Sequence, residues 1–272
     1  MGGSLEVEFW GTRGSLPSPG ASTARYGGNT SCVEVRAAGH TLVFDAGTGI
    51  RELGRSLLQR DVTDVHLFLS HYHWDHIMGF PFFGPIFRPD ATIHLYGEEK
   101  EGLSVGGILA GQMRHPYFPV PWVGLSASID ETTIEPGTTI ELPGVSISCC
   151  RLNHPQHSVA YRVDVGEKSV VYATDIEHGS VLDEPFQDFI RGADLLIMDC
   201  SYTEAEYPAH VGWGHATWQA AVGFADAAGN GQLAIFHHLP ERTDPEVDAI
   251  VAAARELRPA TFGAREGQVV TI

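Results

Sequence analysis

The chain has 272 residues, 43% of them hydrophobic, and 17 Lys and Arg against 34 Asp and Glu give a formal net charge of −17. That length suits a single α/β domain spanning 1–272, and no run approaches the roughly 20 apolar residues a membrane span needs. So acidic a chain, with no Lys/Arg cluster, repels polyanions at long range, which argues against a long RNA or DNA partner but says little about a small anion, because bound metal ions invert the local field.

The opening MGGSLEVEFW shows neither the basic nor the apolar part of a secretory leader. Cys32, Cys149, Cys150 and Cys200 show no C-x-x-C spacing and read as small buried hydrophobes. Both features lead to the expectation of a cytoplasmic protein. Leu5–Phe9 alternates as a strand does, and residues 11–31, rich in Gly, Pro, Ser and Thr, read as loop. Cys32–Val35 and Thr41–Phe44 predict a hairpin, and Asp45-Ala-Gly-Thr-Gly turns the chain into a helix near Ile50–Gln59. His66–Leu69 is an apolar strand. Residues 81–128 predict one short strand, Thr92–Leu95, one helix and a long surface loop. Strands resume at Val145–Leu152, Val159–Val165, Ser169–Ala173, Leu195–Met198 and Leu233–Phe236. Trp218, Ala221, Val222 and Ala225, and then Val247, Ile250, Val251, Ala254 and Leu257, fall on helical spacing; Asp244-Pro245 is the expected cap and first residue of the second helix. Two groups of strands with helices in both halves fit two packed sheets with helices outside.

The densest chemical signal is Ser70-His71-Tyr72-His73-Trp74-Asp75-His76, three imidazoles and a carboxylate directly after an apolar strand. These donors suit zinc, iron and manganese. An extended or turning segment sends His71 and His73 to one point and Asp75 and His76 to a second, so it feeds two metals more naturally than one. His154, Asp175 and His237 each follow the end of an apolar strand too, which lets them converge on the same rim, and a carboxylate such as Asp175 can bridge two cations. Asp45 and Asp199 follow strands as well; each reads equally as an orienting group or a turn carboxylate. His40, His66, His94 and His178 read as ordinary histidines, Tyr117, Phe118 and Trp122 as loop-packing aromatics, and His238 as pointing away from its neighbour.

H-x-H-x-D-H followed by spaced His, Asp and His resembles the metallo-β-lactamase superfamily over essentially the whole chain. The resemblance implies an α/β fold, an αββα sandwich of two mixed sheets with metals at one edge. His71, His73 and His154 would then hold one metal and Asp75, His76 and His237 the other, with Asp175 shared. Phe9-Trp10-Gly11-Thr12-Arg13-Gly14 and Arg25-Tyr26-Gly27-Gly28-Asn29-Thr30-Ser31 resemble the start of its phosphodiesterase branch, which includes ribonuclease Z and small cyclic-phosphate phosphodiesterases. Gly214-His215-Ala216-Thr217 resembles that branch's G-H-S/T element, whose His contacts the scissile phosphate; its place before a predicted helix suits an anion. The branch commonly has Gly where this chain has His157, and Asp-Pro after the late His pair where it has Leu239-Pro240.

The expected function is therefore hydrolysis of a small cyclic phosphate or cyclic nucleotide by a hydroxide activated by two divalent ions, zinc first and manganese or iron as alternatives, with Asp75 and His215 as catalytic groups. Ribonuclease Z carries a tRNA-binding arm between its third motif His and its bridging Asp, whereas His154 and Asp175 are 21 positions apart (154 to 175). The alternatives are a tRNA 3′-end endonuclease and a thioester or lactone hydrolase. The expected partner is a small phosphodiester, with no long nucleic acid and no membrane, and a homodimer is the commonest closed assembly.

Overall fold

The computed structural model describes residues 5–272. In the first half, Leu5–Gly11 (β1), Cys32–Ala37 (β2) and His40–Phe44 (β3) pair antiparallel. Asp64–Phe68 (β4), Thr92–Gly97 (β5) and Ser128–Thr133 (β6) then extend the sheet in parallel. The second half repeats the plan. Thr139–Leu142 (β7), Val145–Leu152 (β8), Ser158–Val165 (β9) and Lys168–Ala173 (β10) are antiparallel neighbours, followed in parallel by Leu195–Asp199 (β11), Gln232–Phe236 (β12) and Thr261–Gly263 (β13). The last strand, Val269–Thr271 (β14), crosses back and pairs antiparallel with β1. The result is two seven-stranded sheets, β14-β1-β2-β3-β4-β5-β6 and β13-β12-β11-β10-β9-β8-β7.

Strict alternation drives the packing. Leu5, Val7 and Phe9 of β1 are fully buried while Glu6 and Glu8 between them are not, so one face of the strand belongs to the core. That core lies between the sheets and holds Phe44 and Phe68 from one sheet with Tyr161, Tyr172 and Phe236 from the other. Burying each of these rings stabilises the fold by roughly 2–3 kcal/mol. On the outer face of the first sheet pack Ile50–Gln59 (α1) and Val105–Gln112 (α3), which flank the one-turn Trp74–Ile77 (α2) in chain order. On the outer face of the second pack Asp183–Phe189 (α4), Trp218–Ala227 (α5) and Asp244–Leu257 (α6). The expected αββα sandwich is the observed architecture. Among the described residues no helix is long and apolar enough to cross a membrane.

The differences from the sequence reading are local. β6, β7, β13 and β14 were not expected; they are the outermost strands of the two sheets, and edge strands bury too little to show an apolar run. α4 was missed because Phe186 alone of its residues is buried. The cap of α6 is Thr243 rather than Asp244: Thr243 and Glu246 form a reciprocal capping box, and Asp244 and Pro245 open the helix. Cys150 is half-buried, unlike the other three cysteines, because successive residues of β8 face opposite ways.

Candidate metal centre

The strand ends that carry the expected ligands meet at one rim. Asp45 after β3, Asp175 after β10 and His237 after β12 all have left-handed backbones, with φ of +62°, +54° and +59°. Such conformations are uncommon outside glycine and concentrate at functional sites. Each of the three lies just past the end of its strand, where the chain leaves the sheet. Gly14 permits the crowding, since a Cβ there would stand 2.2 Å from the His237 ring.

His71, His73 and His154 place one nitrogen each in a common cluster, and Asp75, His76 and His237 form a second. Asp175 lies between them. Its Oδ2 is 3.1 Å from His76 Nε2 and 3.2 Å from His237 Nε2, and its Oδ1 is 3.9 Å from His71 Nε2 and 4.0 Å from His154 Nε2. Asp75 Oδ2 is 3.0 Å from His76 Nε2 and 3.4 Å from His237 Nε2. In the second cluster these spacings match the roughly 3.3 Å edge of a tetrahedron whose donors lie about 2.0–2.1 Å from a central ion.

The hydrogen-bond network fixes the tautomers. His76 Nδ1–H donates to Asp45 Oδ2 at 2.8 Å, and His154 Nδ1–H to the Gly214 carbonyl at 2.9 Å. Ser70 Oγ is committed as donor to Asp45 at 2.8 Å, so it accepts from His71 Nδ1 at 3.0 Å. Ser201 Oγ likewise donates to Asp199 at 2.7 Å and accepts from His237 Nδ1 at 3.2 Å. His73 is reversed: its Nε2–H donates to Gln156 Oε1 at 3.1 Å, leaving Nδ1 inward, 3.2 Å from His154 Nε2. Five imidazoles thus turn bare lone pairs into one space. The Nε2 atoms of His71, His76 and His237 are buried with no hydrogen-bond partner. Lone pairs and two carboxylates facing each other without a donor are costly unless cations lie among them, so the residues present fit divalent metal ions.

The protonation balance agrees. Burial lowers the pKa of His71 and His154, keeping both neutral. At His76 burial acts in the same direction, but the carboxylates of Asp75, Asp175 and Asp45 outweigh it and raise the pKa. The carboxylates thus draw positive charge into this space, which divalent cations would supply.

Asp45 is fully buried and accepts from Ser70 N, Ser70 Oγ, His76 Nδ1 and Tyr172 Oη at 2.7–2.8 Å, so it orients ligands. Asp199 accepts from His215 Nδ1 at 2.7 Å. Burial lowers the His215 pKa, but Asp199, Asp175 and Asp75 together raise it to about 9. The ring is mostly buried, stacks on His237 and lines an open cavity. His238 turns away, as expected, to the Ala264 carbonyl. The buried Arg13 of the early loop bonds the carbonyls of Gly27, Leu239 and Arg242, so that motif ties the loop to the segment after His237. His157 and Gln156 have φ of +68° and +62°, which accounts for glycine being common at the first position. Sequence reasoning missed Ser70, Ser201, Gln156 and Glu177; Ser70 sits beside His71 and Ser201 two positions after Asp199, but nothing in sequence marks the others. His66 and His94 are not isolated: they stack at 4.6 Å, and Asp64 reaches both, far from this rim at the start of β4.

A fold with this rim is that of a metal-dependent hydrolase. The Beta-lactamase superfamily domain matches residues 40–238, which contain all seven expected ligands. The chain belongs to that superfamily. A ribonuclease Z of Bradyrhizobium sp. (strain ORS 278) is 24% identical over 320 positions, covering 98% of this chain and all of the relative. The metallo-beta-lactamase fold protein YhfI of Bacillus subtilis superposes with a TM-score of 0.76 at 19% identity, covering 99% of this chain and 100% of the other. A diphosphatase of the PhnP family superposes at 0.72 and 18% identity, covering 98% and 97%.

Proposed function

We propose that the chain is a phosphodiesterase with two cation sites sharing Asp175, and that its substrate is a small phosphodiester such as a cyclic phosphate or cyclic nucleotide. Five imidazoles and two carboxylates suit zinc, with manganese or iron as substitutes. A pair of divalent ions at such a centre supplies an activated water near neutral pH and offsets the charge of a phosphate. The chain's own residues do the rest. Asp199 holds His215 by Nδ1, so the other ring N–H is free to donate to a phosphate oxygen or a departing oxygen. Cations beside Asp75 and Asp175 would cancel much of those carboxylates' pull, leaving Asp199 as the chief support of a protonated His215. The Ser15 amide donates to Asp75 Oδ2 at 2.8 Å, fixing the carboxylate that would accept the nucleophile's proton.

The observation that carries the small substrate is the β9–β10 turn. Val165 pairs with Lys168, so only Gly166 and Glu167 separate the strands between His154 and Asp175, and no arm rises there. The −17 charge points the same way. A second reading, cleavage at the 3′ end of a tRNA, is favoured by the name of the Bradyrhizobium relative. Against it, that alignment spans 320 positions while 98% of 272 residues fills about 267, leaving about fifty with no residue here.

A panel of cyclic nucleotides, phosphoribosyl cyclic phosphate, precursor tRNA and a thioester, run across a salt series, tests the proposal. We expect the highest kcat/KM on a cyclic phosphate and a shallow salt dependence of KM. A protein gripping RNA through several phosphates loses affinity steeply with salt. Efficient, salt-sensitive cleavage of precursor tRNA with no turnover of cyclic phosphates would establish the second reading instead.

A further inference from the structure

We propose that the cavity beside His215 is a subsite for an uncharged planar ring, a nucleobase, carried by the phosphodiester, with Trp213 as its stacking platform. This rests on the phosphodiesterase reading and narrows it to nucleoside substrates. The cavity, about 380 Å³, opens from His215 and Ser15, and pockets of this size suit small organic ligands. Its wall is aromatic. The buried Tyr202 stacks on His210 at 4.3 Å and 18°, and His210 meets Trp213 edge-on at 4.9 Å and 87°. Trp213 itself is 61% exposed and lines the cavity together with His215.

That exposed ring sits on a rigid mount. Gly212 and Gly214 flank it with φ of +87° and +88°, and their amides donate to Glu177 Oε1 at 2.7 Å and Oε2 at 2.9 Å. Tyr207 Oη donates to the same buried carboxylate at 2.9 Å, and the Trp213 amide donates to the His210 carbonyl at 3.1 Å. A Cβ at Gly214 would stand 2.1 Å from His154 Nδ1, so the mount is packed against a candidate ligand. The backbone of Trp213 is thus fixed in relation to the centre while its ring is left open, an arrangement that lowers the ordering cost of stacking.

Charge selects what can stack. Among the described residues neither Lys nor Arg lines this cavity, and Glu206 and Glu241 do. Arg242 neutralises Glu206 at 2.8 Å, which leaves Glu241 to repel a second phosphate. Lys100 lines instead a different cavity, with His73 and His157. The Trp213 side therefore takes the neutral base and the phosphodiester stays over the rim.

The test compares adenosine 2′,3′-cyclic monophosphate with glycerol 1,2-cyclic phosphate, which has a similar reacting ring and no base, in wild type, Trp213→Ala and Trp213→Phe. Base stacking is worth on the order of 1–3 kcal/mol by alanine substitution, so the kcat/KM ratio of nucleoside to base-less substrate should fall about 5- to 150-fold in Trp213→Ala and be largely kept in Trp213→Phe. Adenosine 5′-monophosphate should also quench wild-type tryptophan fluorescence, and that quench should vanish in Trp213→Phe. Equal losses on both substrates, an unchanged ratio, or a quench that survives in Trp213→Phe would overturn the subsite. If wild type turns over neither substrate, the phosphodiesterase reading fails and the fluorescence titration still decides the subsite.

Discussion

Asp45→Asn is the most informative single change. The carboxylate accepts four hydrogen bonds at 2.7–2.8 Å from three residues, and Oδ2 takes three of them. An amide keeps the shape but offers one acceptor oxygen, and its NH₂ must face a donor whichever way it turns. Either the bond from Ser70 N is broken or those from Ser70 Oγ, His76 and Tyr172 are, and the charge holding the His76 tautomer is lost. Removing such an outer partner typically weakens metal affinity 10- to 100-fold, or about 1.4–2.7 kcal/mol. Metal-stripped protein should be titrated with zinc against a chromogenic chelator, with thermal unfolding of the apo form as a parallel readout. The apo protein should also lose about 1–3 kcal/mol from the donors left unpaired. An affinity within twofold of wild type, with an unchanged unfolding midpoint, would refute the assignment of Asp45 as the group that orients His76.

Asp175→Ala should abolish binding of both ions or leave one weakly held, since its two oxygens face the two clusters; elemental analysis giving two equivalents would contradict this. His215→Ala should keep the metal content and cut kcat by roughly 10²–10³, the range for an oxyanion donor, and Asp199→Asn should reproduce part of the loss by weakening the protonated ring. Acid should destabilise the fold through His66 and His238. Burial, the largest influence on each, brings their pKa values down to about 4 and about 3. The unfolded chain then takes up protons first, so the stability both supply above about pH 6.5 is lost progressively as pH falls toward 3. Urea midpoints at constant ionic strength should show a slope between pH 6.5 and 4 that is shallower in His66→Gln by up to about 1.4 kcal/mol per pH unit.

The parts legible in sequence are those that repeat one local rule. Every expected ligand follows an interior strand, and interior strands such as β4, β10 and β12 are apolar enough to stand out. β6, β7, β13 and β14 escape that rule because an edge strand buries little, as the exposed Ser-Ile-Asp-Glu-Thr-Thr of β6 shows. The roles of Asp45 and Asp199 stay undecided in sequence because their partners are remote: Tyr172 lies 127 positions from Asp45, and His215 lies 16 from Asp199. Glu177 is a similar case, an acid whose purpose emerges only when Gly212 and Gly214 arrive to meet it. The cap at Thr243 was misplaced by one residue because Asp244 is also a good capping side chain, and the reciprocal bond with Glu246 decides between them.

The repeated plan of the two halves has a consequence for how the molecule could be taken apart. Residues up to β6 carry His71, His73, Asp75 and His76, and those from β7 onward carry His154, Asp175 and His237, so neither cluster is complete in one half. A cut between β6 and β7 would yield two fragments that each own a sheet and part of each ligand set. Reassembly of such a split chain should respond to zinc, because an ion can reach its full set of partners only across the join. β14 would act as a covalently borrowed strand, travelling with the second fragment yet needed to complete the first. The chain is thereby a natural candidate for a split reporter whose two pieces come together on metal.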